Sequence, residues 1–197
     1  VAEASVHRGF IYLTAGFFVC GWQVGFIMDH LPAYILDANL PASVAAWALG
    51  LIGFFNIIGT YGCGWLGDRY SRKYLLSLLY LVRAIVVAIF LVAAKTEASV
   101  LIFSAAIGLL WLGTVPLTSS LVAQIFGVQY LTTLFGIVFL SHQVGSFLGI
   151  WLGGWMFDAT GSYTLFWIGS IAFGVGAAII HMPITDAPVP RLQRQAA

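Results

Sequence analysis

Six apolar runs, at positions 10–36, 42–66, 74–94, 99–126, 130–157 and 163–182, divide the chain, with short polar connectors between them. Each run supplies the ~20 residues that a helix needs to cross the hydrocarbon of a bilayer. None alternates apolar and polar positions with period two, as the strands of a membrane barrel do. A helix satisfies its own backbone groups in lipid, so the pattern predicts an all-α polytopic membrane protein with six transmembrane helices. The connectors at 37–41, 95–98 and 158–162 are too short for a soluble domain. The densest polar stretch is Gly64-Trp65-Leu66-Gly67-Asp68-Arg69-Tyr70-Ser71-Arg72-Lys73, which begins at the end of 24 uncharged residues, 43–66. It reads as a water-exposed loop between the second and third spans. Segment 1–9 and tail 183–197 flank the bundle at 10–182. The tail is polar and proline-rich, and is expected to be disordered.

Composition supports this division. The chain of 197 residues is 61% hydrophobic and 8% charged, with mean hydropathy +0.99. Soluble domains carry about 25% charged residues, so these charges could not cover a soluble surface. The net charge of +1 carries no implication of a nucleic-acid partner. The distribution of cations does carry information. Counting sides by alternation, Arg8, Arg69, Arg72, Lys73, Arg191 and Arg194 fall on one side and Lys95 alone on the other, with Arg83 inside the third span. Both termini and the Arg72 loop are therefore expected in the cytoplasm. The chain begins with Val and opens without a cleavable signal pattern. Cys20 and Cys63 sit inside apolar runs and read as buried free thiols.

An internal echo orders the six helices further. Gly64-Trp65-Leu66-Gly67-Asp68 and Gly154-Trp155-Met156-Phe157-Asp158 share the pattern G-W-x-x-D, 90 residues apart. Each closes the second helix of a three-helix unit, the units being 10–94 and 99–182. An odd number of spans per unit inverts one copy relative to the other, and the second copy carries no cation after its Asp. Inverted three-plus-three repeats are a transporter signature.

Gly64-x-x-x-Asp68-Arg69-x-Ser71-Arg72-Lys73 resembles the loop motif of the major facilitator superfamily, G-x-x-x-D-R-x-G-R-R/K, with Ser71 in place of the usual glycine. The whole chain looks like one six-helix half of such a transporter. Gln23 and His30 before Leu31-Pro32-Ala33-Tyr34, and the stretch Leu140-Ser141-His142-Gln143-Val144-Gly145-Ser146-Phe147-Leu148-Gly149, look most like the C-terminal half of monocarboxylate-porter-like bacterial members. The resemblance implies a twelve-helix protein whose N-terminal six-helix half is absent from this chain. It also implies secondary transport by alternating access, with a small organic anion such as a monocarboxylate as cargo, moved with a proton. Gly64, Asp68, Arg69, Arg72 and Lys73 would then form a gating loop. In physical terms Gly64 would let a neighbouring helix approach, and Asp68 would accept from a facing helix N-terminus or pair with Arg72. The bland alternative is a positive-inside anchor.

Ionisable groups inside a membrane are expensive and mark candidate sites. Arg83 lies about 15 Å beyond Lys73 at a helical rise. It either attracts an anionic cargo or meets a structural partner such as backbone carbonyls. His142, beside Gln143, either relays a proton near physiological pH or hydrogen-bonds within the bundle. Asp29 either lines a cavity or snorkels to the surface; His30 either touches cargo or shapes the outer gate. Gln23, Asn56, Thr114 and Ser119 can bond cargo or a neighbouring helix. Trp111 either walls a pocket, faces lipid or packs within the bundle, and Pro116 should kink the fourth helix. Gly145, Gly149 and Gly153 form a small-residue ridge for close helix contact. Trp155 and Tyr163 read as interface anchors. No phosphate-binding loop, metal spacing, cofactor motif or paired-carboxylate site is present, so no enzyme is expected. A different class of function stays open: a non-transporting membrane scaffold or an inactive truncated fragment.

Overall fold

The computed structural model describes residues 2–192. Helices α1 (Ala2–Ser5), α2 (Arg8–Asp37), α3 (Ala42–Gly67) and α4 (Arg72–Val92) form the first part of the chain. Helices α5 (Glu97–Leu109), α6 (Thr114–Phe126), α7 (Leu131–Thr160) and α8 (Thr164–His181) form the second, with a 3₁₀ turn at Val128–Tyr130. Six spans are long and apolar enough to cross a membrane. They match the six apolar runs, and the fourth, Glu97–Phe126, is built from α5 and α6 together. No strand occurs among the described residues.

Local chemistry places the ends. Thr96 and Ser99 form a reciprocal capping box that starts α5. Gly161 stops α7 in the left-handed conformation at φ 65°, which a residue with a Cβ adopts only at a cost. Pro116 lacks the N–H that Leu112 O would need, and the fourth span is broken just before it, at Leu110–Gly113. The kink expected from Pro116 is thus a full break between two helices.

The bundle is held by close backbone contact at glycines. A Cβ on Gly21 of α2 would meet His142 O of α7, and one on Gly25 would lie 2.8 Å from Ser146 O. In return, Cβ atoms on Gly145 and Gly149 of α7 would meet Phe18 O and Trp22 O of α2. The same arrangement recurs between α3 and α5, where a Cβ on Gly59 would meet Leu109 O and one on Gly108 would lie 2.8 Å from Ile52 O. The first helix of each three-helix unit therefore packs on the second helix of the other. The third helices, α4 and α8, pack on each other: Ser77 donates to Ala178 O at 2.7 Å, and a Cβ on Gly174 would lie 3.1 Å from Ala84 Cβ. The two units are related as the inverted repeat predicts, and the architecture is a six-helix bundle of two three-helix units.

Two expectations need correction here. The tail is not disordered as far as it is described. Ile184 and Val189 are buried, Val189 N donates to Ile125 O, and Lys73 Nζ donates to Ile184 O at 2.8 Å. Apolar side chains at 184 and 189 return the segment to the bundle despite its prolines. Arg194 lies outside the described residues. Tyr163 is not an interface anchor. It is buried, stacked on Phe157 at 4.5 Å, whereas Trp155 is half exposed as expected.

The glycine contacts give a direct test. Gly145→Ala and Gly149→Ala should each force the α2–α7 backbones apart and lower stability by about 1–3 kcal/mol, the range for overpacking. Gly136→Ala, where nothing lies within 4 Å of the added Cβ, should be neutral or stabilising by up to about 1 kcal/mol. Thermal melting of the purified protein in detergent checks both.

Candidate functional site

Three polar clusters stand along the bundle. The central one joins α2, α4, α7, α8 and the break in the fourth span. Arg83 of α4 is buried to 1% exposure, and its Nη2 donates to Leu110 O and to Trp111 O, the latter at 2.7 Å. Its Nη1 lies 3.4 Å from both Cys20 Sγ and Gln23 Oε1. Gln23 in turn donates to Ser170 O at 2.9 Å, and Trp22 Nε1 donates to Ser170 Oγ at 3.0 Å. Cys20 Sγ is 3.3 Å from Thr114 Oγ1. His142 is buried among Phe17 and Phe139, with Nδ1 3.2 Å from Gln143 Oε1. It also interacts with the Cys20 thiol, although its Nε2 makes no well-formed hydrogen bond. Backbone carbonyls, one of the two partners expected for Arg83, take its Nη2, whereas Nη1 is left to Cys20 and Gln23 and the buried Nε has no hydrogen-bond partner among the described residues.

The structure thus brings Gln23, Arg83, Trp111 and His142 together and adds three residues that sequence reasoning passed over or undervalued, Cys20, Ser170 and Trp22. Cys20 read only as a buried thiol, and nothing in its apolar surroundings in sequence marked its neighbours. Trp111 is buried, which removes the lipid-facing reading. Gln143 beside His142 is exposed. Asn56 stands on the other side of the break, where its Oδ1 accepts from Leu112 N at 3.1 Å and from Thr60 Oγ1 at 3.1 Å. Ser119 spends its hydroxyl on Pro116 O.

The second cluster lies toward the Lys95 end. His30 contacts Ile150 O through Nε2 at 2.9 Å and the Tyr163 hydroxyl through Nδ1 at 3.3 Å. Ile150 O can only accept, so His30 Nε2 carries the ring proton and donates to it, which leaves Nδ1 of the neutral ring to accept from the Tyr163 hydroxyl. Burial, with Asp37, Asp158 and Asp29 nearby, pushes the Tyr163 phenol up. His30 therefore bridges α2, α7 and α8. Asp29 is exposed and pairs loosely with it at 3.7 Å. Lys95 donates to Phe90 O, Leu91 O and Ala93 O, closing the C-terminal end of α4, and burial pushes its pKa down.

The third cluster is the loop at the Arg72 end. Arg72 lies 3.9 Å from Asp68, so the expected pair exists, but Asp68 is 83% exposed and the contact is loose. The stronger bond runs from Arg72 Nη1 to Gln124 Oε1 of α6, at 2.6 Å. Gln124 Nε2 then donates to Asp186 O, and Lys73 is 3.7 Å from the Asp186 carboxylate. Arg69 stacks over Trp65 at 3.6 Å. Nothing within 4 Å would meet a Cβ on Gly64. The close helix approach expected there is not made among the described residues. Gln124 and Asp186 were invisible as partners in sequence, because one is a neutral residue near the end of α6 and the other lies in the tail.

A separate groove of about 650 Å³ runs between α2, α7 and α8, lined by Phe10, Thr14, Phe18, Ser141 and Phe173 among others. The hydroxyls of Thr14 and Ser141 go to the backbone. This groove has the volume of a ligand site without the chemistry of one; the ionisable groups lie in the central cluster.

An inverted-repeat bundle with a broken fourth span and a G-x-x-x-D-R-x-S-R-K loop defines a class of polytopic membrane protein. The description "Major Facilitator Superfamily" matches residues 11–197. The chain belongs to the major facilitator superfamily. It is similar to the "Uncharacterized MFS-type transporter YcxA" of Bacillus subtilis (strain 168), at 32% identity over 180 residues, 88% of this chain and 44% of that protein. It is also similar to "Monocarboxylate transporter 12-B" of Danio rerio, at 27% identity over 158 residues, 79% of this chain and 33% of that protein. "Monocarboxylate transporter 12" of Mus musculus matches at 25% identity over 192 residues, 92% of this chain and 40% of that protein. The chain spans less than half the length of these curated relatives.

Removal of the Gln124 amide should loosen the tail, which keeps its other anchors, while leaving the bundle folded. Gln124→Ala is expected to speed tryptic cleavage at Arg191 several-fold. Asp68→Asn should leave both the cleavage rate and the melting temperature nearly unchanged, because a loose, exposed pair contributes little.

Proposed function

We propose that this chain is the C-terminal half of a secondary transporter that works by alternating access, with its Arg72 end in the cytoplasm. The reading rests on one observation above the others: the first helix of each three-helix unit packs on the second helix of the other through glycine contacts. This makes the six helices one rigid inverted-repeat body, able to rock as a unit. Membership of the superfamily supports the same reading. The wide apolar faces of α3 and α7, with Trp47, Phe54, Ile57, Phe147 and Trp151 exposed, suit a partner half and lipid. The missing half would supply the second wall of the cavity.

The proposed cargo is a small organic anion such as a monocarboxylate, because two of the similar proteins carry that name. His142 is the group proposed to carry a coupled proton. It is buried in the centre and its Nε2 lacks a well-formed bond. The loop around Asp68 is proposed as the cytoplasmic gate. Its aspartate is exposed and only loosely paired within the chain, so it is free to engage an element of the other half when that side closes.

Uptake of labelled lactate and pyruvate by cells expressing the intact protein tests the cargo. Accumulation that collapses when the proton gradient is dissipated supports proton coupling. Insensitivity to that treatment rejects it. His142→Ala should remove the pH dependence of uptake, and an unchanged pH profile rejects the residue. Asp68→Asn should lower the transport rate about ten-fold or more at unchanged melting temperature, the pattern of a contact made in only one of two states.

A further inference from the structure

In an uninterrupted fourth helix, Leu110 O would accept from Thr114 N, Trp111 O from Val115 N, and Leu112 N would donate to Gly108 O. None of these bonds is made where the chain breaks. Gly108 O takes Trp111 N instead, at 3.0 Å, and Leu112 O takes Val115 N at 2.9 Å. The second substitution is forced by Pro116, which has no N–H for Leu112 O. Leu110 O, Trp111 O, Leu112 N and Thr114 N thereby lose their helical partners near the middle of the span, where a bilayer offers no water to replace them. Side chains from two other helices serve three of these four groups. Arg83 Nη2 of α4 serves Leu110 O and Trp111 O, and Asn56 Oδ1 of α3 serves Leu112 N.

We infer that Arg83 and Asn56 are a two-sided clamp that keeps the fourth span as two separate helices, and that Arg83 is a positioning residue for this break. The guanidinium is suited to the task because it is planar, always charged, and donates to two acceptors at once. It comes from a helix outside the break and is buried to 1% exposure. Its remaining reach, to Cys20 Sγ and Gln23 Oε1, ties the break to α2. The clamp gives α6 an end that can pivot while Leu110 O, Trp111 O and Leu112 N keep partners, and its other end is bonded to the loop through Gln124 and Arg72. As a part of transport this rests on the alternating-access reading above; as a statement about the break it does not.

Two native reporters flank the site. Cys20 Sγ lies 3.3 Å from Thr114 Oγ1, and Cys63 Sγ is the first atom that a Cβ on Gly113 would meet. The experiment follows hydrogen exchange across 108–116, and N-ethylmaleimide labelling of Cys20 and Cys63, in the intact protein in nanodiscs. Arg83→Met should raise exchange at these amides and labelling of Cys20 by about ten-fold or more, as expected when buried carbonyls lose their partner. Arg83→Lys should give a smaller rise in the same places, since an ammonium donates from one point. It carries the comparison if Arg83→Met does not accumulate. Adding Pro116→Ala should reverse the effect of either variant, because a continuous helix restores Thr114 N and Val115 N as donors. Unchanged exchange in both Arg83 variants, or no reversal by Pro116→Ala, overturns the clamp. None of these readouts requires a cargo, so a protein that fails the uptake assay can still show the clamp, and one that transports can still refute it.

Discussion

Inside a bilayer each peptide N–H and C=O must find its partner in the protein, at a cost of several kcal/mol for each one left over. Every feature of this bundle answers to that constraint. Five of its six spans meet it alone, as unbroken helices or nearly so. The fourth cannot, because Pro116 withdraws one donor and the chain opens before it. The most buried charge among the described residues, on Arg83, is explained by the same shortage. A cation that would be prohibitive in lipid is stabilised by carbonyls that would otherwise have no donor. Charge and break offset each other.

Close packing is the second element. Lipid tails are as apolar as leucine, so spans gain little from hiding apolar surface and must associate through tight contact. Gly21 and Gly25 on α2, facing Gly145 and Gly149 on α7, let two backbones touch over several turns. Gly59 and Gly108 do the same for α3 and α5. The repetition of one contact in both units is the physical content of the repeat that Gly64-Trp65 and Gly154-Trp155 only hinted at. It also leaves the outer faces of α3 and α7 bare, with large apolar side chains pointing away from the bundle.

The Arg72 end shows how a loop motif can be rewired by distant residues. Its basic side chains reach Gln124 of α6 and Asp186 of the tail, and through them the end of α6 and the returning segment are joined. Asp68 takes little part in this net and stands exposed. A motif that looks like one unit in sequence is divided in space between a bonded half, Arg72 and Lys73, and an open half, Gly64 and Asp68.

Six spans, the inverted relation of two units and a disturbance of the fourth helix at Pro116 were legible in the order of residues, although the kink expected there proved to be a full break. They depend on local quantities: run length, a missing N–H and the period of a pattern. The glycine ridge at 145, 149 and 153 was legible for the same reason. The partners of Arg83, the bridge made by His30, the burial of Tyr163 and the anchoring of the tail were not. Each joins residues far apart in the chain, such as Tyr163 with His30 or Ile184 with Lys73. A side chain in an apolar run carries no mark of which neighbour it will face. Only the close approach of the helices decided that Arg83 would meet two orphaned carbonyls.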